Sequence, residues 1–366
     1  MGFGEFLGNE RIVSALRGML SRERVPNALL FTGPRGIGKF TLARMFAQAA
    51  NCERLKDDFC GECASCLRMA PLADPAPLIE AGLAGRGESA DAATVERMPL
   101  ILETHPDVWL IVPDPVRLRN PVARPMIRVG QLRAVQRAAY FKPQGRRRVF
   151  ILDGADTMRW TDADLFLKIL EEPPESATLI LLAPTPDSLL TTIRSRCLQF
   201  HFAPVPAEQI EAFLADRTKA KPAERKLAAQ LSGGSPGAAL SLDLEESARL
   251  RRSVLRLLEQ AVTGEKYGEI FATTAQLAKQ EQESFENVLA LFYSLFTDLL
   301  ESSEGSKNSL PRNPDLRREI ETLGKKVDWK WVMQATRGLD TLEGGLRRNI
   351  GRQLGLDALI TSLSVL

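Results

Sequence analysis

The sequence predicts an α/β domain built on a parallel sheet, followed by an all-helical region. One observation is a glycine-rich loop that lies between a short apolar run and a segment with helical spacing. Another is a series of further apolar runs of strand length that alternate with helical segments. From Pro204 onward the pattern becomes wholly helical. With 366 residues the chain is long enough for two or three domains that each have a core.

The glycine-rich loop has the form of a phosphate-binding loop. It follows the apolar run 28–31, and beyond Lys39 apolar residues recur at helical spacing. Glycines let the backbone wrap an anion, free amides of the first helical turn donate to it, and a lysine adds a positive charge. We therefore expect a nucleotide site formed by Gly33, Gly36, Gly38, Lys39, Thr41 and Asp153.

This predicted site departs from a working one at two positions. The pattern G-x-x-x-x-G-K-[ST] requires a hydroxyl at position 40 for Mg²⁺, but the chain has Phe40, and Thr41 is about 100° further round the helix. The strand that ends at Asp153 has the shape of a Walker B element, but Gly154 stands where an ATPase normally has the glutamate that activates water. Losing a positioned general base costs about 10²- to 10⁴-fold in rate. We therefore expect very poor hydrolysis, and a loop kept only for packing is the alternative.

Four of the five cysteines lie within fifteen positions, with the spacing C-x7-C-x2-C-x2-C. Four thiolates suit tetrahedral Zn²⁺ in a closed site, which would make the role of the metal structural. Disulfides and a redox Cys-x-x-Cys pair are the alternatives, and a reducing compartment and the number of clustered cysteines argue against them. The predicted zinc module spans residues 52–66, and its ligands are Cys52, Cys60, Cys63 and Cys66.

Two other stretches of the α/β region stand out. Residues 70–100 show no clear periodicity, so we expect an irregular insertion there, with His105 as a turn residue after it. The segment 117–148 contains ten basic residues and no acidic one, a bias that suits phosphate or an acidic partner. Helical spacing within this segment predicts that Arg133 and Arg137 are exposed together. A solvated basic face with no dedicated ligand is the alternative.

The helical region predicts two further domains. Residues 206–216 and 222–231 are expected to form short helices, with a break at 233–234, and longer amphipathic segments follow after Asp243. The predicted domains are 1–203, 204–243 and 244–366. The apolar face of 283–300 suits either a subunit interface or a core within the domain.

Several motifs occur here in a distinctive order. The phosphate-binding loop is followed by the cysteine cluster, then by Leu-Glu-Glu-Pro-Pro at 170–174, then by Ser-Arg-Cys at 195–197. On these motifs the chain resembles, over essentially its whole length, the clamp-loader branch of the AAA+ ATPases. The resemblance implies an AAA+ domain with a zinc module, then a small helical lid domain, then an all-α collar that joins five subunits into a ring.

The resemblance also implies roles for single residues. Arg196 matches the arginine finger that reaches into the nucleotide site of a neighbouring subunit, where a guanidinium binds γ-phosphate oxygens in a forked geometry. The family's lid domain carries a sensor arginine, and the aligned position here is Gly237. Since position 40 lacks a hydroxyl and position 154 lacks an acid as well, the resemblance implies a catalytically silent subunit whose own ATP binding is doubtful. The alternatives are an ATP-hydrolysing motor subunit, with Thr41 and Asp156 rescuing the site, and a free-standing zinc-stabilised nucleotide- or DNA-binding protein.

The resemblance further implies partners and a compartment. The implied partners are clamp-loader subunits of the gamma/tau and delta types in bacterial DNA polymerase III, the sliding clamp, and primed DNA. The net charge of +2 indicates no partner by itself. No apolar run approaches the ~18 residues of a membrane helix, and the first residues do not have the pattern of a signal peptide, so we expect a cytoplasmic protein.

Overall fold

The computed structural model of the chain describes residues 2–87, 91–116, 125–159, 163–264, 267–280, 282–304, 311–346 and 350–363. It divides into two compact units. The first unit comprises Met1–Phe213 and Gly234–Ala238, and the second comprises Leu214–Gly233 and Ala239–Leu366. The finer division at residues 203 and 243 stays a prediction.

The first unit is organised by a six-stranded sheet. Its strands are β1 (Ala28–Thr32), β2 (Ile101–His105), β3 (Val108–Ile111), β4 (Arg148–Asp153), β5 (Ala177–Ala183) and β6 (Leu198–His201). The strand order is β2-β3-β4-β5-β1-β6, and every neighbouring pair is parallel except β2 with β3. The predicted parallel α/β sheet is therefore confirmed, with an antiparallel edge strand that the sequence did not predict.

The burial of the central strands explains why their sequences are continuous apolar runs. Strands β1 and β5 are buried along their whole length, as are the first five residues of β4. A parallel strand is covered by helices on both faces, so both its odd and its even positions must be apolar. Because β4, β5 and β1 lie side by side, Asp153 and the loop after β1 share the carboxyl edge of the sheet, where open α/β sheets bind ligands.

The helices of the first unit correct the prediction for residues 70–100. In chain order they are α1 (Glu10–Ser21), α2 (Lys39–Asn51), α3 (Ala64–Met69), α4 (Ala76–Ala84), α5 (Ala92–Arg97), α6 (Val129–Ala139), α7 (Ala163–Glu171), α8 (Thr191–Arg194) and α9 (Ala207–Arg217), of which α9 runs on into the second unit. The prediction of an irregular insertion was wrong, because helices α4 and α5 lie in this range. Helix α4 buries no residue and α5 buries only Val95, so neither carries the apolar periodicity that marks a helix.

The remaining helices lie in the region after Pro204 that was predicted to be wholly helical, although α11 was not predicted as a separate helix. They are α10 (Pro222–Leu231), α11 (Pro236–Ser241), α12 (Leu244–Thr263), α13 (Tyr267–Ala278), α14 (Gln282–Ser303), α15 (Arg317–Gly324), α16 (Trp329–Leu346) and α17 (Arg352–Leu363). Of the two uses considered for the apolar face of α14, the structure shows the core within the unit, because Leu289, Phe292, Leu295 and Phe296 are buried there. Among the helices in the described ranges, none is both long enough and apolar enough to cross a membrane.

Candidate functional site

The predicted phosphate-binding loop joins β1 to α2. Its three glycines, Gly33, Gly36 and Gly38, have φ angles of 148°, 74° and 102°, which L side chains rarely adopt. Glycine at these positions is therefore required by the backbone, as the sequence motif predicts. The side chain of Lys39 follows at the first position of α2.

Lys39 is bound to its own loop. Its Nζ donates to the carbonyl oxygens of Gly33 and Pro34 at 2.6 and 2.9 Å. Burial lowers the pKa of Lys39, and the nearby negative charge of Asp153 opposes that shift. Burial raises the pKa of Asp153, and the charge of Lys39 opposes that shift in turn. The opposite charges of this pair, Lys39 and Asp153, therefore influence each other at the carboxyl edge of the sheet.

The residues next to this pair differ from those of a metal-dependent hydrolytic site. Thr41 is exposed on α2, while Phe40 is half-buried. Gly154 has a φ of 74°, and a Cβ built there would lie 2.9 Å from Cγ of Pro113. An acidic side chain at this position would meet both a strained backbone and a steric contact.

The position aligned with the sensor arginine lies directly against the loop. The amide of Gly237 donates to the carbonyl oxygen of Gly36 at 2.9 Å. A Cβ on Gly237 would lie 2.9 Å from that oxygen, and a Cβ on Gly36 would lie 2.7 Å from the nitrogen of Ala238. Both residues belong to the first unit. The two glycines thus let two backbone segments meet at a distance that any side chain would prevent.

Arg196 lies at a different part of the first unit, just beyond α8. Its Nη2 forms an ion pair with Oε1 of Glu171 at 2.8 Å, and its Nη1 donates to the carbonyl oxygen of Thr192 at 2.9 Å. The side chain is 35% exposed. The sequence pattern does not indicate Glu171 as the partner of Arg196, although Glu171 lies within the Leu-Glu-Glu-Pro-Pro segment. The neighbouring Cys197 is partly buried, and burial raises the pKa of its thiol to about 12.

The four clustered cysteines come together as the spacing predicts. The sulfur atoms of Cys52, Cys60, Cys63 and Cys66 all lie within 4.8 Å of one another. A tetrahedral Zn²⁺ with Zn–S distances of about 2.3 Å places its sulfurs roughly 3.8 Å apart, so the cluster has the right size. Backbone amides of Glu62 and Cys63 donate to the Cys60 sulfur at 3.4 and 3.3 Å, and the bond from Glu62 contributes most to lowering the pKa of this thiol to about 6. The donor set therefore fits a thiolate-bound metal.

His105 supports this cluster from the outside and is not a turn residue as predicted. It ends strand β2, where it is 6% exposed. The amide of Asp107 donates to its Nδ1 at 3.1 Å, so Nε2 carries the proton and donates to Oγ of Ser65 at 3.0 Å. Burial lowers the pKa of His105, which favours this neutral form. Ser65 lies on α3 between Cys63, which caps this helix, and Cys66. His105 therefore holds the segment that contains these two cysteines.

Many cations of the basic segment have partners within the chain. Residues 117–124 of this segment, including Arg117, Arg119 and Arg124, lie outside the described residues. Arg133 and Arg137 are both exposed, as predicted, and Arg133 pairs with Glu96. Others form ion pairs with buried carboxylates or donate to backbone carbonyls. These are Arg128 with Asp114, Arg146 with the Leu55 carbonyl, Arg147 with the Glu175 carbonyl, and Arg148 with Asp107. Much of the positive charge therefore stabilises the first unit itself.

Comparison with known proteins places the chain in a family. The family described as "DNA polymerase III, delta subunit" matches residues 8–206. The chain is 31% identical over 246 residues to the gamma/tau subunit of DNA polymerase III from Mycobacterium bovis, a match that covers 66% of this chain and 36% of that protein. It is 33% identical over 258 residues to the delta-prime subunit from Pseudomonas aeruginosa, covering 68% of this chain and 66% of that protein. The chain thus spans only about a third of the length of the mycobacterial relative.

Solved structures add a weaker likeness. A gamma-subunit-related protein of DNA polymerase III from Thermotoga maritima aligns over 96% of this chain and 98% of its own, with 16% identity and a TM-score of 0.37. A score this low carries no argument of its own, so the assignment depends on the sequence match, which covers more than half of the 366 residues. The chain accordingly belongs to the DNA polymerase III delta subunit family of clamp-loader proteins.

Proposed function

We propose that this chain is a non-catalytic clamp-loader subunit of the delta-prime type, which lends Arg196 to the nucleotide site of a neighbouring subunit. The observation that carries the proposal is the state of its own loop. The hydrogen bond from the Gly237 amide to the Gly36 carbonyl joins the loop to backbone of the same unit. Gly237 is the position that the family resemblance aligns with a sensor arginine. Such a subunit would take part in clamp loading without hydrolysing ATP itself.

The local chemistry supports a silent site in three independent ways. Lys39 Nζ already donates to two carbonyl oxygens of the loop, which leaves only one of its three N–H groups for a phosphate. The hydroxyl that would ligate Mg²⁺ is missing at position 40, and the exposed Thr41 projects from a different part of α2. The general base is missing at position 154, where the backbone accommodates only glycine without strain. The base alone is worth about 10²- to 10⁴-fold in rate.

The position of Arg196 supports the donation of a finger. The short helix α8 is anchored by Ile193, which is 1% exposed, while the Arg196 side chain lies at the surface. A guanidinium keeps its charge and presents a planar set of donors, so it can stabilise the charge that develops on a transferred phosphoryl group. In the proposed arrangement the receiving site belongs to a gamma/tau-type subunit in a pentameric ring that also contains a delta-type subunit. The ring would act on the sliding clamp and on primed DNA.

We also propose that the cysteine cluster holds one Zn²⁺ as a structural ion. The four sulfurs would be its ligands, and the amides that donate to Cys60 and Cys63 would stabilise their negative charge. Cys52 directly follows α2, the helix that begins at the phosphate-binding loop. The ion would fix the end of that helix and would play no part in phosphoryl chemistry.

A second candidate is the ATP-hydrolysing motor subunit. It is favoured by one specific observation, namely the 31% identity to a gamma/tau subunit over 246 residues. In that case the chain's own site would work, with Thr41 and Asp156 replacing the missing groups.

One assay separates the two candidates. ATP hydrolysis is measured for the purified full-length chain alone, and then for its complex with the gamma/tau- and delta-type subunits of the same organism. We expect no turnover by the chain alone. We expect the Arg196→Ala variant to lower turnover at the site that receives the finger by about 10³- to 10⁵-fold, and to do so only in the complex. Arg194→Ala is the matched control, since Arg194 lies two residues away on α8 and pairs with Asp187. Brisk turnover by the chain alone would reject the silent subunit in favour of the motor.

A further inference from the structure

The guanidinium of Arg196 already has a carboxylate partner in its own chain. Glu171 is the last residue of α7, and its Oε1 lies 2.8 Å from Nη2 of Arg196. The other terminal nitrogen, Nη1, donates to the Thr192 carbonyl. Both terminal nitrogens, which a finger would direct at phosphate oxygens, are therefore directed at the surface of this chain.

From this geometry we infer that Glu171 is a positioning residue, which holds Arg196 retracted until a neighbouring nucleotide competes for the guanidinium. The inference rests on the proposed function, because it concerns the regulation of the same finger. A nitrogen bound to a carboxylate at 2.8 Å cannot also donate along the same direction to a phosphate oxygen. The class of ligand that releases the finger is a nucleoside triphosphate. Its phosphates carry several negative charges, whereas the carboxylate of Glu171 carries one.

The exposure of the pair indicates how strong this retention is. The Arg196 and Glu171 side chains are 35% and 51% exposed, so water and salt screen their attraction. Exposed ion pairs of this kind bias an equilibrium by at most about five-fold. Retention by Glu171 would therefore lower the rate of ATP hydrolysis in the complex without DNA or clamp by a small factor. It would be overcome once the triphosphate and Arg196 are aligned.

The pair is not needed to hold the backbone in place. Buried Ile193 anchors α8, and the amides of Arg196 and Cys197 donate to the carbonyl oxygens of Ile193 and Arg194 at 3.1 and 3.2 Å. A second ion pair, between Arg194 and Asp187, provides a comparison two residues away from Arg196. Removing either carboxylate should leave the fold intact, and only the loss of Glu171 should change the freedom of Arg196.

The test uses Glu171→Gln in the reconstituted complex of full-length chains, with ATP as the substrate and without DNA or clamp. We expect the variant complex to hydrolyse ATP about two- to five-fold faster than wild type. Asp187→Asn, the matched control, should leave the rate unchanged. Glu171→Asp, which restores the charge on a shorter side chain, should give a rate between those of Gln and wild type. Unfolding midpoints of all variants verify that the fold is retained.

Combining Glu171→Gln with Arg196→Ala distinguishes retention of the finger from any other role of Glu171. The double variant should hydrolyse ATP at the rate of Arg196→Ala alone, because no guanidinium remains to be released. A rate for Glu171→Gln equal to or below wild type would overturn the inference while leaving the proposed function standing. An acceleration that persists in the Arg196→Ala background would overturn it too. If Arg196→Ala itself left hydrolysis unchanged, the proposed function would fail, and this inference with it.

Discussion

The amide nitrogen of Gly237 lies 2.9 Å from the carbonyl oxygen of Gly36, so a backbone hydrogen bond joins two glycines 201 positions apart at the phosphate-binding loop. Neither residue has room for a side chain on the side that faces the other. The glycine at 237 therefore does more than omit an arginine. It also permits a backbone contact that an arginine at this position would prevent.

Restoring the arginine should consequently damage the first unit without restoring activity. For Gly237→Arg we expect a loss of about 1–3 kcal/mol in the free energy of unfolding, because the new Cβ must push the Gly36 carbonyl away. Urea unfolding measures the loss, and an ATPase assay of the chain alone should still detect no turnover. Gly4→Arg is the matched control, since nothing lies within 4 Å of a Cβ at position 4. Equal stability of the two variants would contradict the closed contact.

A second prediction concerns the missing general base. Gly154 and Gly87 both adopt left-handed backbone, with φ angles of 74° and 78°, but only Gly154 has a neighbour, Cγ of Pro113 at 2.9 Å from the ideal Cβ. Gly87→Ala should cost about 1 kcal/mol from backbone strain alone. Gly154→Ala should cost at least about 1 kcal/mol more, because steric overlap adds to the strain. The difference between the two urea midpoints measures this overlap, and no difference would show that position 154 tolerates a side chain.

The features predicted from sequence are those with a local signal. Strands β1, β4 and β5 are buried on both faces, so their continuous apolar runs identify them. The cysteine cluster is similarly local, because its four cysteines are close in sequence. Strand β2 and helices α4 and α5 were missed because they bury few side chains. The contacts of Gly36 with Gly237 and of Arg196 with Glu171 depend on the tertiary fold, and no spacing rule predicts them.

The cysteine cluster gives a prediction about metal content. The purified chain should contain about one zinc ion. A chelator should remove this ion and lower the thermal stability, because the four thiolates lose the ion that holds them together. Cys63→Ser should have the same effect as chelation. The matched control is Cys197→Ser, because Cys197 lies outside the cluster and its removal should leave the zinc content unchanged. Metal analysis and thermal unfolding provide both readouts, and a zinc-free chain of unchanged stability would rule out the structural ion.

The last prediction concerns a buried carboxylate that organises the basic loop before β4. Asp107 is fully buried and accepts hydrogen bonds from the amides of Gln144 and Gly145 at 3.0 and 2.6 Å, while Nη2 of Arg148 lies 3.2 Å away. Asp107→Ala should lower the free energy of unfolding by about 3–5 kcal/mol, because it removes the only carboxylate that bonds directly to the buried Arg148 guanidinium in the described part of the chain.

A surface ion pair of the same unit supplies the comparison for Asp107. Asp57 pairs with Arg17 at 2.9 Å, but both side chains are 43% exposed, so Asp57→Ala should cost no more than about 1 kcal/mol. Urea unfolding of the two variants tests the contrast directly. Similar losses for both would mean that Arg148 finds another partner or reaches water when Asp107 is removed. A large loss for Asp107→Ala alone would establish that the charge of Arg148 stabilises the fold. Arg148 would then not be among the cations available to a nucleic acid or an acidic partner.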